Sequence, residues 1–389
     1  MNTAVDEQSR GLQSPSLMKN SPAAVPVQIR PATFDDYPRI ATLASRYGLN
    51  PKARNEWEHL WKGNPVYRGL AEWTIGWVVE TAAGEIVGHI ANIPSQLEFK
   101  GRLLLAASGG GLVVDEPYRS YAFPLFSHFC NQSIPDIFLN TSVNANGMPL
   151  HQLFHFLPVP SGAWNRASFW VIDYPNFASR MLRQKQWPRW LSYPIAAALA
   201  AKDAIRHRPT TKIRGGLQLS LRNRFDEDFD EFWRSLSNRS GSVLGVRSRE
   251  TLDWHFKYAL ESGAAWIAAI AQDRQLLAYA VFLRQDNHEV GLNRMRLVDF
   301  QSRDGNAEHL VPLVALALQE CRAHKIHMLE AIGFAAAKQR VLARIAPHQR
   351  ELPCWLYFYK VNKNHPQLSE QLKDPACWDP SSFDGDGSL

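Results

Sequence analysis

Residues 103–122 read Leu103-Leu-Leu-Ala-Ala-Ser-Gly-Gly-Gly-Leu-Val-Val-Asp-Glu-Pro-Tyr-Arg-Ser-Tyr-Ala122. From Leu103 to Val114 the run is apolar and closes on a proline turn, which predicts a buried strand. Beyond Pro117 the apolar spacing becomes helical, over about Ala122 to Gln132. Gly109, Gly110 and Gly111 sit inside the strand, and no helix follows them after a short turn. That placement excludes a Walker or Rossmann loop and suits a bulge, or a ligand that comes close to the backbone.

Working outward, the upstream pattern is a strand at Val27–Arg30, a helix from about Asp35 to Tyr47 with Thr33 as N-cap, and a helical piece carrying Trp57, Leu60 and Trp61. A hairpin follows, Gly76–Glu80 and Ile86–Ile93, joined by Ala82-Ala-Gly84. Downstream come a strand at Asp136–Leu139, a helix from about Met148 to Phe156 and a strand near Ser168–Ile172. Residues 216–361 repeat this order. Strands are expected at Leu217–Leu221, Ala265–Ala271, Leu276–Leu283, Met295–Gln301, His327–Glu330 and Trp355–Val361. Helices are expected at Asp226–Leu236, Arg249–Tyr258, Glu308–His324 and Ala335–Ile345. Aligning the two Trp-bearing helices gives an offset of about 195 residues, the signature of a tandem duplication. The chain therefore divides into a flexible leader (1–26), a first unit (27–178), a basic linker (179–215), a second unit (216–362) and an irregular acidic tail (363–389).

The first unit resembles the GNAT superfamily of N-acetyltransferases. Ile29-Arg-Pro-Ala-Thr33 with Asp35-Asp36 is similar to the family's opening, and Gly84-Glu-Ile-Val-Gly88 to its hairpin. Leu112-Val-Val-Asp-Glu-Pro-Tyr-Arg-Ser-Tyr-Ala122 resembles its coenzyme A motif, and Asn144 with Leu153-Phe-His-Phe156 its closing segment. The resemblance implies an α/β chain with mixed sheets, built as two tandem GNAT-like acyl-CoA transferase units, with acetyl-CoA as donor and no metal. In such a site a splayed strand leaves backbone groups free for the pantetheine chain, and a turn aims N–H groups and a helix start at the pyrophosphate. The implied contacts are Leu112, Val113 and Val114 for the first part, Arg119, Ser120, Tyr121 and Ala122 for the second, and Asn144 beside them. Arg119 adds a permanent bidentate cation.

The departures matter as much. Ser120 and Ala122 stand where the family pattern has glycine, and Phe154 where it often has a proton-donating Tyr. No carboxylate lies between Leu103 and Val114 to act as base, which leaves Ser108, Glu85 or water; for the acid, water, His155 or His151 four residues before it on the same predicted helix can substitute, and Asn140, with Ser142 and Asn144, can orient substrate or cofactor or cap the next helix. In the second unit the corresponding turn, Val298-Asp-Phe-Gln-Ser-Arg-Asp-Gly-Asn306, sets Asp299 and Asp304 against an incoming pyrophosphate, so that unit is expected to have lost the donor. Glu330, Tyr359 and Asp299 end its predicted strands as candidate substrate contacts.

Composition bounds the rest. At 389 residues and 45% hydrophobic the chain can bury large cores, and its 4 cysteines lack the short spacings of a zinc ribbon or redox pair. Residues 1–26 hold no signal-peptide core and no run suffices to span a bilayer, so the expected compartment is the cytoplasm, with peripheral membrane contact as an option. The formal net charge is +6, yet Arg180–Arg224 carries eleven bases against Asp203 alone. With Trp187, Trp190, Tyr193 and Ile195-Ala-Ala-Ala-Leu-Ala200 this linker is read as a bridge between units, or as a patch for an anionic membrane or a phosphate-bearing substrate, not for nucleic acid. The expected function is N-acylation of an amine, an amino sugar or other saccharide precursor. The alternatives are a Fem-like ligase using aminoacyl-tRNA, and a non-catalytic GNAT-fold binding protein of a polysaccharide or envelope pathway.

Overall fold

The computed structural model describes residues 26–162, 164–204, 209–211, 216–237, 241–352 and 356–389. The leader apart from its last residue lies outside these, as do Cys354, Trp355 and four of the linker bases (Arg206, Arg208, Lys212, Arg214).

The strands among the described residues are β1 (Val27–Pro31), β2 (Gly76–Thr81), β3 (Ile86–Phe99), β4 (Arg102–Val114), β5 (Ile137–Val143), β6 (Leu157–Pro158), β7 (Arg166–Val171) and β8 (Gln218–Arg222). They continue as β9 (Leu244–Gly245), β10 (Ala265–Gln272), β11 (Gln275–Arg284), β12 (Arg294–Ser302), β13 (Met328–Ile332), β14 (His348–Glu351) and β15 (Leu356–Val361). They build two mixed sheets. One has the order β1-β2-β3-β4-β5-β15-β6, with β9 added on β3, and the other β14-β7-β13-β12-β11-β10-β8. Each repeats the same path: an antiparallel meander, one parallel step (β4 to β5, β12 to β13), then an antiparallel closing strand.

That closing strand is exchanged. β7, placed by sequence order in the first unit, pairs with β13 of the second, Met328 opposite Val171. β15 pairs with β5 of the first, Val361 opposite Ile137. The boundaries 27–178 and 216–362 are thus crossed by strands in both directions. Both strands are short and apolar, and either satisfies the same backbone edge, so local periodicity cannot tell which edge each will take.

Helices cover both faces of each sheet. In the first, Ala122–Cys130 and Met148–Leu153 lie over Val79, Val87, Ala107 and Phe138, while Tyr37–Arg46 and Arg54–Lys62 cover Val78, Ile86 and Ile93. The second sheet is covered in the same way, by Leu310–Ala323 and Ala336–Ile345 on one face and Glu227–Ser237 and Arg249–Glu261 on the other. The units meet through the Trp-bearing helices. Trp254 Nε1 donates to the His59 carbonyl at 2.9 Å, and His59 Nε2 lies 3.1 Å from the Trp254 carbonyl. Residues 195 apart thus bond reciprocally, as equivalent positions beside a twofold axis do.

The linker forms two packed helices, Tyr174–Gln184 and Ser192–Ala204. Tyr174, Phe177 and Leu199 pack with Val171 and Met328, and Asp203 meets His348 at 2.9 Å, so the hairpin is fastened to the second sheet. The tail also departs from expectation. Pro366–Gln371 is helical, short 3-10 turns follow, and Trp378, Ser381, Phe383 and Asp384 are buried. Its Asp, Ser and Gly content reads as a surface turn only while its partner, Arg247, is out of view.

Candidate active site

The β4–β5 ladder stops early. Ala106, Ala107 and Ser108 oppose Ile137, Phe138 and Leu139, and from Gly109 onward β4 pairs with β3 alone. The two strands splay where the three glycines lie. Gly109 has no room for a side chain, since a Cβ would meet Asn140 Oδ1 at 3.0 Å, and Gly111 adopts φ +58° in an irregular stretch of the ladder opposite Ile90. His89, pushed down to about 4 by burial, bonds the Gly111 backbone and braces the bulge.

Side chains take up the broken ladder. Gly109 N–H donates to Asn140 Oδ1 at 2.9 Å. Asn140 therefore turns its amide donor toward His151 Nε2, which must hold the lone pair, and His151 Nδ1–H donates to the Gly147 carbonyl at 2.8 Å. Burial lowers the His151 pKa and keeps the ring neutral, as this tautomer requires. On β5, Thr141 N–H and Oγ1 donate to Asp386 at 2.7 and 2.8 Å, Ser142 Oγ also donates to that carboxylate, and Gly387 N–H donates to Thr141 Oγ1 at 2.8 Å. The edge vacated by β4 is thus held by residues 385–388.

The residues singled out in the sequence separate into groups. Ser108 and Asn140 lie at the splay, Ser108 with a buried hydroxyl that has no hydrogen-bond partner among the described residues. Leu112, Val113 and Val114 follow on the freed part of β4, half-buried. Arg119, Ser120 and Tyr121 form a 3-10 turn leading into the helix that begins at Ala122, and the Arg119 guanidinium is 70% exposed, with Glu116 4.0 Å away. Asn144 caps the turn before the next helix, accepting from Asn146 and Gly147 N–H. His155 does not join the group: the helix ends at Leu153, His155 has φ +59° and its side chain is exposed, so it shares no helical face with His151. Phe154 packs on Phe123 and Phe126, with ring centres 4.9 and 5.2 Å apart. Sequence reasoning missed Asp386, whose partners stand some 245 residues away.

Two cavities reach this region from the side of the Trp-bearing helices. A small one, about 30 Å³, is lined by Ser95, Ser108, His255, Gly385 and Leu389, and the Ser95 hydroxyl is also unpartnered among the described residues. A larger one, about 290 Å³, lies between helices Arg54–Lys62 and Arg249–Glu261 and shares Trp254, His255 and Leu389 with the first. The smaller one touches the splay at Ser108.

The second unit has the same splay and has filled it. β12 pairs with β13 only from Arg294 to Leu297. Lys338 Nζ donates to the Phe300 carbonyl at 2.9 Å and meets Asp379 at 2.8 Å. Behind it Arg247, fully buried, binds Asp299 and Asp384 at 2.9 and 3.0 Å, and Tyr279 donates to Asp299. At the turn, Asp304 accepts from Asn306 N–H and meets His309, and Asn306 caps Glu308 N–H, so side chains occupy the helix start. Glu330 pairs with arginines and Tyr359 donates to the Leu372 carbonyl.

The architecture has counterparts among solved structures. Saccharomyces cerevisiae N-myristoyltransferase with bound myristoyl-CoA and inhibitors aligns with TM-score 0.55 at 12% identity, over 93% of this chain and 87% of that one. A second structure of that enzyme with myristoyl-CoA gives 0.53 at 11%, over 92% and 84%. A protein of unknown function from Enterococcus faecalis V583, described as a probable N-acyltransferase, gives 0.50 at 12%, over 86% and 72%. No family model matches the sequence, and no curated protein matches it either. At such identities the likeness is one of fold: the two mixed sheets with helices on both faces are arranged as in N-myristoyltransferase.

Proposed function

We propose that the chain transfers an acyl group from an acyl-CoA to an amine, with the donor held by the first unit alone. One observation carries this reading: of two equivalent splays, the first leaves Leu112–Val114 unpaired toward β5 and an exposed Arg119 at the turn, and the second is closed by Lys338 and Asp304. The residues present suit the donor. Gly109 and Gly111 permit close approach, Leu112–Val114 offer strand edge to the pantetheine, and Arg119, exposed at the turn, supplies the cation for the pyrophosphate. The bound donor supplies an activated thioester.

The chain's own groups then work by position. The His151–Asn140–Gly109 series fixes the backbone at the splay, where N–H groups can polarise a carbonyl. The amine enters through the inter-unit cavities, where the unpartnered Ser108 and Ser95 hydroxyls are available to hold it. Asp386 is the carboxylate beside the splay and draws a protonated amine toward Ser142 and Thr141. A protonated amine passes one proton to water before its nitrogen attacks the thioester carbonyl, and because Phe154 has no proton to give, the second amine proton passes, directly or through water, to the departing thiolate. Acetyl-CoA is the first donor to test. Calorimetry should show binding that Arg119→Ala weakens at least tenfold, with free thiol appearing when amines are added. No binding at millimolar acetyl-CoA, or affinity indifferent to Arg119, sinks the reading.

A further inference from the structure

We infer that the acceptor is an amine that also carries an oxyanion, carboxylate or phosphate, recognised by the cationic wall of the cavity between the two units. This rests on the acyl-transfer reading above. The wall begins with Lys52 and Arg284, which line the 290 Å³ cavity opposite Glu56. Behind the next lining residue, Gln285, stand further guanidinium groups. Arg294 Nε donates to the Gln285 carbonyl at 2.8 Å and Arg296 Nη1 to Gln285 Oε1 at 2.6 Å. These two and Arg350 share one buried carboxylate, Glu330, with Arg296 at 2.9 Å, Arg294 at 3.5 Å and Arg350 in contact.

Asp286 takes Arg284 Nε at 2.9 Å and the Arg294 N–H. Lys52, Arg284, Arg294, Arg296 and Arg350 outnumber the carboxylates named beside them, Glu56, Asp286 and Glu330; of these cations Lys52 and Arg284 line the cavity itself, and the others stand behind Gln285. His59 and His255, also in the wall, do not offset or add to this charge, because burial holds both neutral near pH 7. Burial and crowding by Arg296 push Arg294 down to about 10, a cost that a bound anion would relieve. Beyond the cavity's inner end the charge is opposite. Gln285 Nε2 donates to the Gly387 carbonyl at 3.1 Å, next to Asp386 at the splay. A guest with an anion outside and an amine inside matches both ends, and the volume, roughly ten waters' worth, admits a small molecule or the end residue of a larger one.

The test compares amines matched in size, with and without a phosphate or carboxylate, by free-thiol release from acetyl-CoA. The oxyanion-bearing member should have the higher kcat/KM by at least tenfold, and Lys52→Gln/Arg284→Gln should collapse that ratio. Both side chains are exposed, so the fold is retained. Inorganic phosphate and acetate, titrated separately at constant ionic strength, show which oxyanion the wall prefers, and the double variant should bind the preferred one at least tenfold more weakly. An unchanged ratio, or unchanged anion affinity, overturns the inference. Anion binding that depends on Lys52 and Arg284 while no amine releases thiol would sink the acyl-transfer reading and keep the anion site.

A separate observation carries a second proposal: the tip of the linker hairpin docks on an anionic lipid surface. Trp187, Trp190 and Tyr193 are 56%, 69% and 74% exposed, beside exposed Arg183, Lys185 and Arg189, and no acid occurs between Asp173 and Asp203. Exposed aromatics ringed by bases fit a headgroup layer of negative charge. The chain should sediment with vesicles containing phosphatidylglycerol and not with phosphatidylcholine alone, and Trp190→Ala/Tyr193→Ala should abolish it. Equal sedimentation with both vesicles, or with neither, or retention of binding in the double variant, refutes the proposal.

Discussion

The two units share a backbone path and differ in what fills one gap. In the first, the gap between β4 and β5 is braced from its sides, by Asn140 on Gly109 and by Asp386 on Thr141, and the turn beyond it leaves Arg119 exposed. In the second, a lysine enters the gap and an arginine with two aspartates locks the segment behind it. One fold thus yields a candidate binding cleft or a structural joint, depending on a handful of side chains.

The comparison can be broken most severely at the joint. Arg247→Ala leaves Asp299 and Asp384 buried without their cation, and should cost about 3–5 kcal/mol in denaturant unfolding, the range for breaking a buried pair. A loss below about 1 kcal/mol would mean that residues 379–389 do not depend on it. Acid should weaken both units. His89 and His255 are pushed down to about 4 and about 3 by burial, so the unfolded chain takes up protons first as pH falls. Stability is full above about 6.5 and falls as pH drops toward 4, by about 3 kcal/mol for His89. His89→Gln should flatten that slope in unfolding measured from pH 7 to 4.

Lys338→Met should cost about 1–3 kcal/mol, because the Phe300 carbonyl and Asp379 lose their donor. It should leave the second unit without affinity for acetyl-CoA, since the helix start remains occupied by Asp304 and Asn306. New binding in that variant would show that Lys338 alone separates the units. The finest test sets equivalent arginines side by side. Arg119→Ala should weaken acetyl-CoA at least tenfold, and Arg303→Ala, which pairs with Gln275 and Glu231, should not change it.

Much of this was legible locally. The apolar run to Val114, its glycines and the turn at Pro117 mark a strand that ends beside a helix start, and all these signals lie within 20 residues. The repeat spacing marked the duplication, and the aspartates at 299 and 304 marked the second unit as different. The expectation that His155 and His151 share a helical face failed because the helix reading ran three residues too far, whereas the chain turns at Phe154 with His155 in left-handed backbone. The tail was misread because acidic residues near glycine look solvated until Arg247 and Thr141 are brought to them.

By itself the sequence determined most of the strands and helices of the two units, that the unit occurs twice, and where the candidate donor turn lies. These follow from periodicity and turn chemistry, which act between near neighbours. Only the tertiary structure decided which unit receives β7 and β15, that Asp386 stands at the splay, and that Lys338 fills its counterpart. Those outcomes depend on unpaired backbone groups and buried charges finding partners more than a hundred residues away or across a sheet, and nothing in local spacing encodes such a choice.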